Sequence, residues 1–155
     1  MTIKVGINGF GRIGRMVFRS AVENFPDIEI VAINEPADAA TVAHLTQYDS
    51  THGTLSLPVS LEAANLRVVK NDIQLTHHEH SDDWDWSALK PDVVLECSGS
   101  FTSRQLAQRH IEAGAPKVLF SQPADDDVDH PRSGHGDGRL GDHHALHAAF
   151  HSHRG

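Results

Sequence analysis

The apolar positions of this chain fall into short unbroken runs separated by segments with helical spacing. Ile3–Asn8, IKVGIN, is a short apolar run with glycine right after it. That pattern predicts a strand covered on both faces. Between residues 11 and 24, Ile13, Met16, Val17, Ala21 and Val22 recur near the helical period, and Pro26 cannot continue that helix. Ile28–Asn34, IEIVAIN, is a second buried strand. DAATVAHLTQY then reads as a helix with Asp38 as its N-cap. The stretch 57–80 is different in kind: LRVVKNDIQLTHH holds two β-rich runs around Lys70-Asn71-Asp72, a hairpin signal. DVVLECSG (92–99) is a further buried strand. TSRQLAQRHIEAG is a helix that Thr102 or Ser103 can cap and Gly114 can end in the left-handed region. KVLFS (117–121) is one more strand.

The predicted order is therefore β-α-β-α, a β-ribbon, then β-α-β. Strands alternating with helices imply an α/β domain: a Rossmann-type, mostly parallel sheet with right-handed crossovers and an inserted β-hairpin. No internal repeat is present. The composition changes at 125–127, and no apolar periodicity follows until Leu146. The domain is expected to span 1–129, incomplete, with an irregular His/Gly-rich tail over 130–155.

The glycines add chemistry to this frame. Gly9-Phe10-Gly11-Arg12-Ile13-Gly14 fits G-x-G-x-x-G, and it lies between a predicted strand and a predicted helix, the context that motif requires. The first glycine permits the tight turn, the second lets backbone approach a pyrophosphate, and the third lets helix and strand pack closely. The helix N-terminus offers N–H groups and partial positive charge to the anion. A plain structural turn is the competing reading. Glu35 lies 21 residues beyond Gly14, close to the ~20 expected of an acid that accepts ribose hydroxyls. Such a carboxylate would repel a 2′-phosphate and favour NAD over NADP; a solvated loop glutamate is the alternative. In the CSGSF stretch, Ser98 and Gly99 follow a strand C-terminus, where open α/β sheets bind ligands. Cys97 reads as a small buried hydrophobe rather than a nucleophile, because no activating base is placed near it.

Composition narrows the class further. The chain has 155 residues and a net charge of −8. The tail carries three Arg against two Asp, so residues 1–129 carry −9. That acidity argues against nucleic-acid and acidic-membrane partners. The single cysteine rules out an internal disulfide, and a reducing cytoplasm is the plain expectation. The N-terminus reads as lacking a signal peptide, and no run approaches the ~18 apolar residues of a membrane helix.

KVGINGFGRIGRMVFR, VAINEPADAATVAHLTQYDSTHGT and DVVLECSGSFTSRQLAQRHIEAGAPKVLFSQPADDD together resemble the glyceraldehyde-3-phosphate dehydrogenase family, over about residues 2–129. Glu35 and the wording LFSQPADDDVD look more like its erythrose-4-phosphate dehydrogenase branch than the glycolytic branch, which usually has Asp at that position. The resemblance implies an NAD-dependent aldehyde oxidoreductase. In that family a cysteine thiolate attacks a phosphorylated aldehyde, a hydride passes to NAD, and a histidine lowers the thiol pKa. By the same resemblance, Arg12 and Ile13 match the pyrophosphate-contacting pair, and Asn34 and Glu35 match the adenosine side. Ser98, Gly99 and Ser121 match loop positions near the adenine and the nicotinamide ribose. Where the family often has an Arg near the adenine, this chain has His80. The resemblance also implies homo-oligomeric full-length relatives and leaves the state of this chain open.

No residue matches the family's catalytic cysteine or histidine, so the chain is expected to be an NAD-binding fragment, inactive alone and lacking a catalytic domain. A non-enzymatic nucleotide-binding or His-tail metal-binding protein is the alternative. The tail holds seven of the chain's thirteen histidines and no Val, Ile, Lys, Glu or Tyr. It reads as the translation of a shifted frame, against a linker-like tail or a metal site on His143, His147 and His151.

Overall fold

The computed structural model describes residues 1–50, 52–99 and 104–121. The tail over 130–155, and the expected capping positions Thr102 and Ser103, lie outside the described residues. β1 (Ile3–Asn8) is followed by α1 (Arg12–Asn24), β2 (Ile28–Asn34) and α2 (Ala39–Gln47). Two short strands, β3 (Tyr48–Asp49) and β4 (Gly53–Thr54), come next, then β5 (Val59–Glu62), β6 (Asn65–Val68) and β7 (Asn71–Thr76). β8 (Val93–Glu96), α3 (Arg104–Glu112) and β9 (Val118–Phe120) complete the order.

The main sheet runs β5-β6-β7-β2-β1-β8-β9. β7, β2, β1, β8 and β9 pair in parallel; β5, β6 and β7 pair antiparallel. β1 sits at the centre of the five parallel strands because it can be covered on both sides: Val5 and Ile7 are buried, and so are Ile30, Ala32 and Ile33 of β2. Gly6 makes room within β1, since a Cβ there would lie 2.9 Å from the Trp86 ring. On one face Phe10, Phe18, Ala21, Val42 and Leu66 join β1 and β2 in a core under α1 and α2. On the other, Ala32, Trp86, Val94, Ala107, Val118 and Phe120 pack together under α3. Two apolar faces require helices on both sides of the sheet, the doubly wound arrangement.

The predicted hairpin is larger than the sequence suggested. Three strands form a meander, with turns at Ala63-Ala64 and Val69-Lys70. It is continuous with the main sheet through β7, which pairs with β6 on one side and β2 on the other. Asn71, Ile73 and Leu75 alternate inward along β7, which reveals a strand but not its neighbour. The β3–β4 pair was not anticipated. Arg19 holds it from α1, donating to the His52 and Gly53 carbonyls at 3.0 and 2.9 Å.

Local signals at helix ends hold where they are described. The Asp38 carboxylate accepts from Thr41 N–H at 2.8 Å and caps α2. The Thr41 N–H and side-chain hydroxyl, with the Ala40 N–H, keep its carboxyl below the usual carboxylate range. α3 ends at Gly114, φ +106°, where Gly114 N–H donates to Ile111 and Ala115 N–H to His110, both at 3.0 Å. That is the Schellman pattern, and the glycine is doubly required: a Cβ would lie 2.6 Å from Ser87 N. Among the described residues, no helix is long and apolar enough to cross a membrane.

Candidate nucleotide site

The parallel strands end in register. Thr76 pairs with Asn34, Asn34 with Asn8, and Asn8 with Glu96, so four polar residues form one row across the C-terminal edge of the sheet. Asn8, Asn34 and Glu96 are almost fully buried, so each must find partners. Asn34 donates to Asn8 Oδ1 at 2.8 Å and to the His78 carbonyl at 3.0 Å. Its own Oδ1 accepts from Thr76 Oγ1 at 2.8 Å and His78 N–H at 2.9 Å. Asn8 donates to Glu96 Oε2 at 2.7 Å. Glu96 Oε1 accepts from Ser98 N–H at 2.9 Å and from the Ser98 hydroxyl. The row thus fixes where three loops leave the sheet, after β1, β7 and β8.

Glu96 also reaches α3. His110, fully buried, lies with Nε2 2.5 Å from Glu96 Oε2, and its Nδ1 faces the Trp86 indole N–H at 2.9 Å. An indole N–H only donates, so Nδ1 is the accepting nitrogen and Nε2 carries the proton given to Glu96. The imidazole stacks flat on Trp84, with centroids 4.0 Å apart and planes 5° from parallel.

The glycine loop is built on this edge. Gly9, φ +91°, passes so close to the β8 loop that a Cβ would lie 2.5 Å from Ser98 Cα and N. At Gly14 a Cβ would lie 2.3 Å from the Gly9 carbonyl oxygen, which explains close helix–strand packing. Gly11 is the opposite case: among the described residues, nothing lies within 4 Å of its Cβ position. It is also the N-cap of α1 and has no side chain with which to cap the first turn. The first and third glycines are closed by protein, and the second opens onto the cleft.

Glu35, at the tip of β2, folds back on the loop. Its Oε2 accepts from Phe10 N–H at 2.7 Å, while Oε1 makes only a 3.5 Å contact with Ala37 N–H. The Phe10 ring is core, packed edge-on to Phe18 at 5.7 Å. One carboxylate oxygen thus sets the loop and the other keeps most of its accepting capacity.

A cleft of about 580 Å³ opens over this edge. Of the sequence-expected residues, Gly9, Gly11, Asn34, Glu35 and Ser98 line it. Phe10 and Gly14 shape the loop from beneath. Arg12 and Ile13 are exposed on the first turn of α1, outside the lining. Gly99 is exposed, with φ +72°. Ser121 is tied to the Glu96 carbonyl through both N–H and hydroxyl at 3.1 Å. His80 is on the cleft wall. The sequence reading missed Asn8, His78, Glu79, Ser81, Trp84, Leu106 and Arg109, which also line the cleft, and the Glu96–His110 support. Glu96 did leave a trace: a lone acid closing an otherwise apolar strand run must be partnered if that run is buried.

Cys97 is buried one residue past β8. Burial pushes its thiol from 9.0 to about 11, with the Ser121 hydroxyl opposing and the Glu96 charge adding to the shift. It is poorly suited to act as a nucleophile.

A family model described as "Glyceraldehyde 3-phosphate dehydrogenase, NAD binding domain" matches residues 3–104. Among curated proteins, the glyceraldehyde-3-phosphate dehydrogenase of Geobacillus stearothermophilus is 50% identical over 124 residues, covering 80% of this chain and 37% of the relative. Glyceraldehyde-3-phosphate dehydrogenase 1 of Bacillus subtilis (strain 168) is 46% identical over 127 residues, 82% of this chain and 38% of the relative. The chromosomal enzyme of Cupriavidus necator is 48% identical over 131 residues, 83% of this chain and 39% of the relative. The chain therefore spans less than two fifths of the length of these relatives. An open glycine at a helix N-terminus, an acid at the tip of the next strand and this match over most of the chain agree: the chain belongs to the glyceraldehyde-3-phosphate dehydrogenase family and carries that family's NAD-binding domain.

Proposed function

We propose that this chain holds NAD in the cleft with the pyrophosphate over Gly11 and the first turn of α1, and the adenosine ribose on Glu35. The observation that carries the reading is the contrast within the glycine loop. A Cβ at Gly9 or Gly14 would strike backbone, whereas at Gly11 it would enter open space beside the α1 N-terminus, where backbone N–H groups and the helix dipole favour an anion. Glu35, in the lining of the same cleft, suits the ribose hydroxyls and disfavours a 2′-phosphate. Arg12 and Ile13 contribute through first-turn backbone, and Ser98, Gly99 and Ser121 through the loops beside the ring ends of the dinucleotide.

When bound, NAD supplies a hydride acceptor for an aldehyde. The substrate class is a phosphorylated aldehyde; Glu35 and the wording of 120–129 favour the erythrose 4-phosphate branch over the glycolytic one. This chain by itself binds without oxidising, since its one thiol is buried and held protonated. That thiol state also suits a reducing cytoplasm.

The test is equilibrium titration of the full chain with NAD and NADP. Wild type is expected to prefer NAD. Glu35→Ala should weaken NAD and narrow the preference; an unaltered NAD/NADP ratio would refute the ribose assignment. Incubation with NAD and either aldehyde phosphate should give no NADH above background, and turnover that disappears in Cys97→Ser would overturn the non-oxidising reading.

A further inference from the structure

We propose that Arg109 is the cation that grips the adenine of the bound dinucleotide, and so sets how tightly this chain holds adenine nucleotides. The inference rests on the binding reading above and goes one step further into the cleft. Besides Glu35 and Pro36, the cleft lining takes in the segment 78–81, Trp84, and Leu106 and Arg109 of α3. An adenine attached to a ribose held by Glu35 falls into this part.

The wall is firmly built. The Arg109 guanidinium donates through Nη1 to the Ser81 hydroxyl, which directs the side chain along the cleft lining. Trp84 stacks on His110, the next residue of α3, and His110 is anchored to Glu96 at 2.5 Å. The 81–84 segment and α3 therefore hold each other in place, with Arg109 at their junction.

Its chemistry fits a purine. A guanidinium has five N–H donors, and one bond to Ser81 leaves the rest for the acceptors of an adenine ring. Its planar face also stacks on aromatic systems. Leu106, one turn earlier on the same helix, adds apolar surface. Arg109 is the one Lys or Arg among the described lining residues, set against Glu35 and Glu79. His80, also in the cleft lining, is adjacent in sequence to Ser81, the residue Arg109 binds.

The experiment titrates the full chain with NAD, AMP and nicotinamide mononucleotide, following tryptophan fluorescence, with a melt of each variant. Arg109→Met is expected to weaken NAD and AMP by about three- to thirty-fold, the range of a cation–π contact. Nicotinamide mononucleotide should change by less than twofold. Arg109→Lys, which keeps charge but loses the planar fork, should fall between wild type and Arg109→Met and stands as the second variant should the first fail to fold. Ser81→Ala removes the tether and leaves the guanidinium, so its loss on AMP should be smaller than that of Arg109→Met. AMP affinity unchanged in Arg109→Met, or losses equal for AMP and nicotinamide mononucleotide, would overturn the assignment while leaving the cleft reading intact. Wild-type protein that binds neither NAD nor AMP would overturn both.

Discussion

Replacing His110 by Phe isolates the hydrogen bonds of the Glu96–His110–Trp86 chain from its packing. Phe keeps a flat ring of similar size, so stacking on Trp84 at 4.0 Å is largely preserved. Two hydrogen bonds disappear. The first is the 2.5 Å bond to Glu96; a bond to an ionised partner is worth about 1.5–3 kcal/mol. Glu96 keeps its donors from Asn8 and Ser98, so it is weakened rather than stranded. The second is the Trp86 bond, and there the indole N–H is left in a core where Trp86 is only 2% exposed. An orphaned buried donor costs about 1–3 kcal/mol. The expected loss is about 2.5–6 kcal/mol, against a domain stability of about 5–15 kcal/mol. Urea unfolding followed by tryptophan fluorescence measures it, since the chain's two tryptophans are both in this cluster. Adding Trp86→Phe to the variant removes the orphaned donor, so the double variant should lose less than the sum of the single losses. A loss below about 1 kcal/mol in His110→Phe would refute the claim that this chain of bonds supports the cleft edge.

Gly14→Ala should lower stability by about 2 kcal/mol, because the added methyl meets the Gly9 carbonyl oxygen at 2.3 Å and overpacking of this kind costs about 1–3 kcal/mol; an unchanged urea midpoint would contradict it. Cys97 should resist alkylation at neutral pH, as its thiol is held up to about 11. The same shift has a stability consequence with a definite sign. Above pH 9 the unfolded thiol loses its proton while the folded one keeps it, so stability falls as pH rises from about 9 to 11. The fall should reach roughly 3 kcal/mol at most, at 1.36 kcal/mol per pKa unit, and Cys97→Ala should flatten that part of the pH profile.

Much of the fold is local information and was therefore legible. Ile3–Asn8 and Ile28–Asn34 are mainly apolar runs, each with one charged residue near its start, and both strands occupy those residues. Asp38 and Gly114 act within one turn of their own positions, so cap and stop could be read directly. Pairing is not local. The run that became β7 looked like one arm of a hairpin, and its second partner, β2, lies some forty residues earlier in the chain. The site divides in the same way. Gly9, Gly11, Gly14 and Glu35 follow a spacing set by one β-α-β unit. Arg109 meets Ser81 from 28 residues away, and Glu96 meets Asn8 from 88, so no short window contains either pair. His110 resembled any helix histidine until the sheet placed Glu96 under one of its nitrogens and Trp86 against the other.

The central claim is that Gly11 is the open position through which backbone meets the pyrophosphate of NAD. Its most direct test is one titration of NAD into wild type and Gly11→Val, with a melt of each protein. Because a Cβ at residue 11 meets nothing within 4 Å among the described residues, the account predicts a melting temperature close to wild type together with loss of NAD binding. NAD binding retained at wild-type affinity in a folded Gly11→Val protein would contradict it.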